Sequence, residues 1–259
     1  MKIVTILLLG CMVASISSQA LARNAQTEHR SPLLPPTPIN IDVNERFTLT
    51  AQYYSVSRPT GATIILHDCS GVLEPFNELA QLLQKRQHNA LVVSLRGYGE
   101  SATELHSHKK LKEESNDIVS YQQKLALLTT FWQDDVLEAY QFLRNSLDKK
   151  LPINMITSGC SALYAVSTAE KMRINKAVFI TPELDYSGKE RYKNLMDIPT
   201  YFIESIYHVD SYQVTNELFS WNGSGQTKLQ LFKGDHYNTA LLKKEPSLIQ
   251  DIALWLTNN

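Results

Sequence analysis

Residues 153–170 read INMITSGCSALYAVSTAE, and the rest of the chain is read outward from them. The apolar run Ile153 to Thr157 predicts a buried strand. A cluster of small residues, Ser158-Gly159-Cys160-Ser161-Ala162, follows it. Leu163 onward to Glu170, Lys171 and Met172 then predicts a helix. A strand, a sharp small-residue turn and a helix form the context in which one side chain is lifted above the end of a sheet. The residues two before and two after that side chain must be small, because strand and helix pass close to each other there. If Cys160 is lifted, those positions are Ser158 and Ala162, both small. If Ser161 is lifted, they are Gly159 and Leu163, and leucine is too large. The spacing therefore favours Cys160, with Ser161 as the alternative.

The chain of 259 residues is 43% hydrophobic and 20% charged, with a formal net charge of −1. That composition fits one sizeable globular domain. No basic excess points to nucleic acid, and the most basic local cluster, His106 to Lys112, is followed at once by Glu113 and Glu114. Residues 1–22 read as a secretory signal peptide. Lys2 precedes an apolar run from Ile3 to Val13, and Ala20-Leu21-Ala22 supplies the cleavage site. This predicts export to the periplasm or beyond, with no integral membrane segment in the mature chain; lipid attachment at Cys11 ranks below simple export. Once the leader is removed, the cysteines are Cys69 and Cys160, and two cysteines in an exported protein are ordinarily one disulfide.

Outward from the turn, residues 23–40 are polar and proline-rich and predict an extended lead-in to a domain over residues 41–259. Ile41 to Val56 alternates apolar and polar residues, as an antiparallel edge pair does. Ala62 to Leu66, Ala90 to Leu95, Lys176 to Thr181, Pro199 to Glu204 and Lys228 to Phe232 predict strands. Helices fall between Leu79 and Arg86, over Asp134 to Leu143, and over Pro246 to Leu256. Residues 102–131 carry no strong fold signal, polar at first and helical later. Such alternation predicts a mostly parallel, doubly wound α/β sheet, whose ligands bind beyond the carboxyl ends of the strands.

Five segments at those ends share a resemblance. Residues 63–68 (TIILHD) resemble a strand-then-HG segment, and residues 94–101 (SLRGYGES) resemble a D-x-R-G-x-G-x-S turn. Residues 181–188 (TPELDYSG) resemble S-P-x-L-D-Y-x-G, and Gly234-Asp235-His236 resembles G-x-H. With the turn at Cys160 as a nucleophile elbow, the order and spacing from Ala62 to Leu256 resemble the α/β-hydrolase superfamily. The likeness is to its serine esterase-like and dienelactone-hydrolase-like members without a large cap, the latter carrying cysteine at the elbow.

The resemblance implies a hydrolase of esters or related acyl compounds acting through an acyl-enzyme, on a small-molecule substrate and without cofactor or metal. It implies Cys160 (or Ser161) as nucleophile, His236 as general base, Asp210 as acid with Glu204 as the alternative, and Cys69 and Ser161 as donors of the oxyanion-hole amides. Asp235 reads as a turn residue, and His67 as structural. The fold also brings the Cys69 loop beside the elbow, so Cys69 and Cys160 are placed to bond. Asp68 where relatives carry glycine, and the missing G-x-S-x-G, support the alternative of a fold-preserving binding protein without catalysis. The sequence sets no oligomeric state.

Overall fold

The computed structural model of the chain describes residues 34–258; the predicted leader, its cleavage site and Cys11 lie outside them. β1 (Thr37–Asn44) and β2 (Phe47–Tyr54) form an antiparallel hairpin. β1 begins inside the stretch expected to be lead-in, and includes Pro38. It pairs only with β2 and is the sheet's edge, where a residue lacking an N–H is tolerated.

The remaining elements follow in chain order: β3 (Ala62–Leu66), α1 (Glu74–Lys85), β4 (Asn89–Ser94), α2 (His108–Glu113), α3 (Ile118–Thr129) and α4 (Trp132–Asn145). Then come β5 (Ile153–Ser158), α5 (Ala162–Lys171), β6 (Ala177–Ile180), α6 (Tyr186–Tyr192) and β7 (Thr200–Ser205). The chain closes with α7 (Val209–Trp221), β8 (Lys228–Phe232), α8 (Asn238–Lys244) and α9 (Ser247–Thr257). The sheet order is β1-β2-β4-β3-β5-β6-β7-β8, parallel from β4 to β8. None of the described helices is long and apolar enough to cross a membrane.

The central strands β3, β4 and β5 are buried along their whole length because both faces are covered, and they are mostly apolar. On β3, Ile64 and Leu66 join the core shared with α4 and α5, whereas Ile65 joins the one packed by α1 and α9. On β4, Leu91 and Val93 face the first core, Ala90 and Val92 the second. This period of two distributes a continuous hydrophobic run between two layers. Of the α1 leucines in the sequence pattern, Leu79 and Leu83 are fully buried on its face, with Phe76 and Ala80.

Two buried polar devices fix the loops at the carboxyl end. His67 is fully buried, its Nδ1–H donates to the Asp68 carbonyl (2.6 Å), and its Nε2 accepts from the Leu95 N–H (3.0 Å). That tautomer requires a neutral ring, and burial lowers the imidazole pKa to about 4. Arg96 reaches Asp135 of α4 through Nη2 (2.7 Å) and Nε (3.3 Å), with Phe47 and Phe131 rings 3.7 and 4.5 Å from its guanidinium carbon. Asp135 thus anchors the Arg96-Gly97-Tyr98-Gly99 turn rather than serving only the helix dipole.

Candidate active site

β3 is followed in sequence by β4 on one side of it in the sheet, whereas β5 lies on its other side. The strand order therefore reverses between β3 and β5, and ligands of open α/β sheets bind in the crevice such a reversal leaves. The loop after β3 carries Asp68 and Cys69, and the turn after β5 carries Cys160. The structure joins Cys69 and Cys160 by a disulfide across this crevice, with Cα atoms 6.0 Å apart. Both cysteines remain partly exposed.

The elbow is built as its small residues require. Gly159 has φ +52, and a Cβ there would lie 2.8 Å from both side-chain terminal atoms of Asn238. Cys160 follows in the tight turn that opens α5. On the opposite loop Gly71 has φ +74, and a Cβ there would meet the Tyr98 ring at 2.2 Å. Tyr98 in turn donates its hydroxyl to the Cys69 carbonyl (2.8 Å), pinning the loop that carries one half of the disulfide. Asp68, buried, accepts from the Ser70 N–H (2.7 Å) and from the Ser70 hydroxyl.

Ser161, the alternative nucleophile, is fully buried. Its hydroxyl donates to the Ser158 carbonyl (2.9 Å), accepts from the Ser158 N–H (3.1 Å) and meets Thr157 Oγ1 at 2.6 Å. Those bonds make it a brace of the turn, and its oxygen has no path to a substrate. Cys160, by contrast, is partly exposed.

The expected histidine and acid are not assembled. His236 is exposed, and its Nδ1 meets Asp235 Oδ1 at 3.0 Å. Asp210 is exposed in the first turn of α7, where its charge suits the helix N-terminus, and shares no hydrogen bond with His236. The physical reason lies at the first residue of the G-x-H segment and two residues beyond its end. Gly234 is tied by its carbonyl to the Ser205 hydroxyl and the Tyr207 N–H, so the chain beyond it turns outward. Asn238, not His236, then enters the elbow: Ser158 Oγ donates to its Oδ1 (3.2 Å), the Thr181 hydroxyl donates to the same oxygen, and its N–H donates to Thr181 Oγ1 (2.9 Å).

Glu204, the alternative acid, is fully buried at the end of β7. Its Oε1 accepts from the Ser205 N–H (2.8 Å) and the Ser211 hydroxyl (3.0 Å), and its Oε2 from the Thr215 hydroxyl (2.9 Å). Burial outweighs these three donors and raises the carboxyl pKa to about 7. Ser211 Oγ also lies 2.6 Å from His208 Nδ1, and the His208 ring stacks on Tyr237, centroids 4.4 Å apart. Glu183 donates its N–H to the Gly159 carbonyl (3.1 Å), so it adjoins the elbow. Its residue is solvent-exposed at the rim, yet surrounding protein crowds its carboxyl: desolvation raises that pKa, His208 opposes the rise and Asp68 adds to it.

From the sequence His208 reads as an ordinary loop histidine, with a second polar pocket group as the alternative, and Ser211, Glu183 and Asn238 have no role. The one available signal was position, since each stands just past the end of β6, β7 or β8 or one turn into the next helix. Among the tyrosines near the strand ends, Tyr98 is core, Tyr164 packs on Trp132, and Tyr237 stacks on His208. A cleft of about 310 Å3 lined by Leu105, Lys110, Leu127 and Phe131 contains none of the elbow residues. No cluster of three or more metal-ligating side chains occurs among the described residues.

The sequence matches no protein-family model and no curated protein. Solved structures do resemble it. A dienelactone hydrolase from Anabaena variabilis aligns with a TM-score of 0.63 at 14% identity, over 86% of this chain and 96% of its own. A predicted CIB-like hydrolase from Thermoplasma acidophilum aligns at 0.62 and 13%, over 86% and 99%. An esterase from Pyrococcus furiosus aligns at 0.61 and 14%, over 85% and 91%. With this sheet order and these alignments, the chain has the α/β-hydrolase fold.

Proposed function

We propose that the chain is an exported hydrolase of small ester-type acyl compounds whose nucleophile, Cys160, is held latent by its bond to Cys69. The observation that carries this reading is the disulfide itself, which spans the strand-reversal crevice and ties up the one side chain the elbow lifts. The hydrolases and esterases among the similar folds support ester-type chemistry, and the leader-like residues 1–22 support export to the periplasm or beyond. A disulfide persists in such a compartment.

Opening the site takes two electrons from a dithiol reductant. Its thiolate attacks one partly exposed sulfur, a mixed disulfide forms, and its second thiol resolves that bond. The protein is left with two thiols and the reductant oxidised. Cys160 then stands at the N-terminus of α5, where the helix favours the thiolate. The thiolate attacks the acyl carbonyl and its π pair moves to oxygen; on collapse the alkoxide leaves and takes up the proton the thiol gave, and water then hydrolyses the thioester to the acid and the regenerated thiol.

The test is release of a chromogenic phenol from a short-chain ester, with and without reductant. Wild type should turn over only when reduced, Cys69→Ala without reductant, and Cys160→Ala under neither condition. Undiminished turnover in Cys160→Ala overturns the assignment.

A second reading, a binding protein without catalysis, is favoured by one feature. Asp68 places a buried carboxylate in the loop expected to stabilise an oxyanion, where negative charge works against acyl transfer. Under that reading the reduced protein is inert toward esters and acyl probes, and it still captures a ligand specifically.

A further inference from the structure

We propose that His208, oriented by Ser211 and Glu204, is the proton acceptor of the site, displacing the histidine of the G-x-H segment. This rests on the hydrolase reading above, with Cys160 as the thiol to be deprotonated.

The hydrogen-bond directions decide the tautomer. The Glu204 carboxylate sits where three donors converge, and one of them is the Ser211 hydroxyl (3.0 Å). A serine has one proton; spent on Glu204, it leaves Ser211 Oγ as an acceptor toward His208. His208 Nδ1, 2.6 Å away, must then carry the proton and donate it. The neutral ring therefore keeps its lone pair on Nε2, which has no hydrogen-bond partner among the described residues. An acid fixing Nδ1–H so that Nε2 is basic is the arrangement a general base needs. Here a serine hydroxyl stands between acid and imidazole, and all three come from the β7–α7 connection and its first helical turn.

Packing holds the ring in one plane. Tyr237 stacks on it at 22°, and the His208 N–H is bonded to the Ser205 carbonyl (3.1 Å). The charged groups beside it are Glu183 after β6 and Glu204 beneath Ser211, with Asp210 exposed on its own helix. His236, by contrast, is exposed beside Asp235 on the outer side of its loop.

In the acylation step His208 Nε2 takes the Cys160 proton as the sulfur–carbon bond forms and the carbonyl π pair moves to oxygen. When the tetrahedral adduct collapses, the carbon–oxygen bond to the leaving group breaks and that oxygen receives the proton from Nε2. Water repeats the sequence on the thioester. Ser211 and Glu204 touch no substrate and are positioning residues.

The test uses Cys69→Ala protein, in which Cys160 is free of its partner, and follows alkylation of the Cys160 peptide by iodoacetamide against pH. A His208→Gln change should move the midpoint upward by about one pH unit or more, and His236→Gln should leave it in place. Ser211→Ala should move it part of the way, and Ser211→Thr, which keeps the hydroxyl, should restore it. Ester turnover is read in parallel, where His208→Gln should lower kcat about 100-fold with little change in KM. A midpoint that moves with His236→Gln, or with neither histidine, overturns the proposal. If the parent shows no ester turnover while the midpoint still follows His208, the hydrolase reading fails and the assignment of His208 stands.

Discussion

Gly159 is the residue on which the elbow's geometry is most exposed to test. Its φ of +52 and the 2.8 Å approach of Asn238 to an added Cβ act together. Asn238 cannot swing aside freely, because Thr181 and Ser158 hold it. Gly159→Ala should therefore cost about 1–3 kcal/mol, read as a lower urea midpoint at unchanged slope. The glycine was legible in the sequence as part of a small-residue turn; its neighbour, 79 positions later, was not. The same limit applied to Arg96 and Asp135. Each belongs to its own local pattern, one to the R-G-x-G turn and the other to the start of a helix. Their pairing depends on how α4 lies across the end of β4, and no local pattern carries that information.

Among the elements, β3 and α5 are each anchored by one half of the disulfide, whose cysteines are 91 positions apart in sequence. A cross-link closing a loop that long restricts the unfolded chain strongly, and its removal costs about 2–5 kcal/mol. Cys69→Ala should thus lower the urea midpoint of oxidised protein while leaving that of reduced protein nearly unchanged. A midpoint for the oxidised variant equal to that of the wild type would contradict the bond. The strands β3, β5 and β8 were read almost to the residue, because continuous or alternating apolar runs bounded by turns leave little choice. α6, α7 and α8 were not foreseen. α6 and α7 mix polar and aromatic residues without a clear stripe and α8 spans only seven residues, so tertiary contacts such as the burial of Leu218 and Leu242 decide them. The site suffered for it, since Ser211 and Asn238 belong to two of those helices.

At the scale of the whole molecule, buried titratable groups set opposing pH dependences. His88, like His67, is buried and neutral, its pKa lowered to about 4 by burial. A depressed imidazole contributes stability above its unfolded value of 6.5 and loses it as pH falls toward 4. Glu204 runs the other way: raised from 4.5 to about 7, it contributes below 4.5 and loses that contribution as pH rises through 7. Relative to wild type, His88→Gln should therefore gain stability on going from pH 7 to pH 5, by up to about 1.4 kcal/mol per pH unit. Glu204→Gln should gain on going from pH 5 to pH 8. Paired urea titrations at these pH values check both signs. The architecture around these groups was readable from the order of strand-end motifs alone. What was not readable was which side of each loop faces the crevice: His236 and Asp210 are exposed, whereas Glu204, the alternative acid read from the sequence, is buried beside Ser211, which reaches His208.

As proposed, one bond decides whether the elbow can react. Poising the protein in dithiol/disulfide buffers of graded potential allows two quantities to be measured in each: the fraction of Cys69 joined to Cys160, by mass spectrometry of non-reduced peptides, and the rate of phenyl-ester hydrolysis. Hydrolysis should rise as the disulfide fraction falls, with a shared midpoint, and be absent where the bond is complete. Hydrolysis at full rate with the bond intact, or none after its complete and reversible reduction, would overturn the proposal.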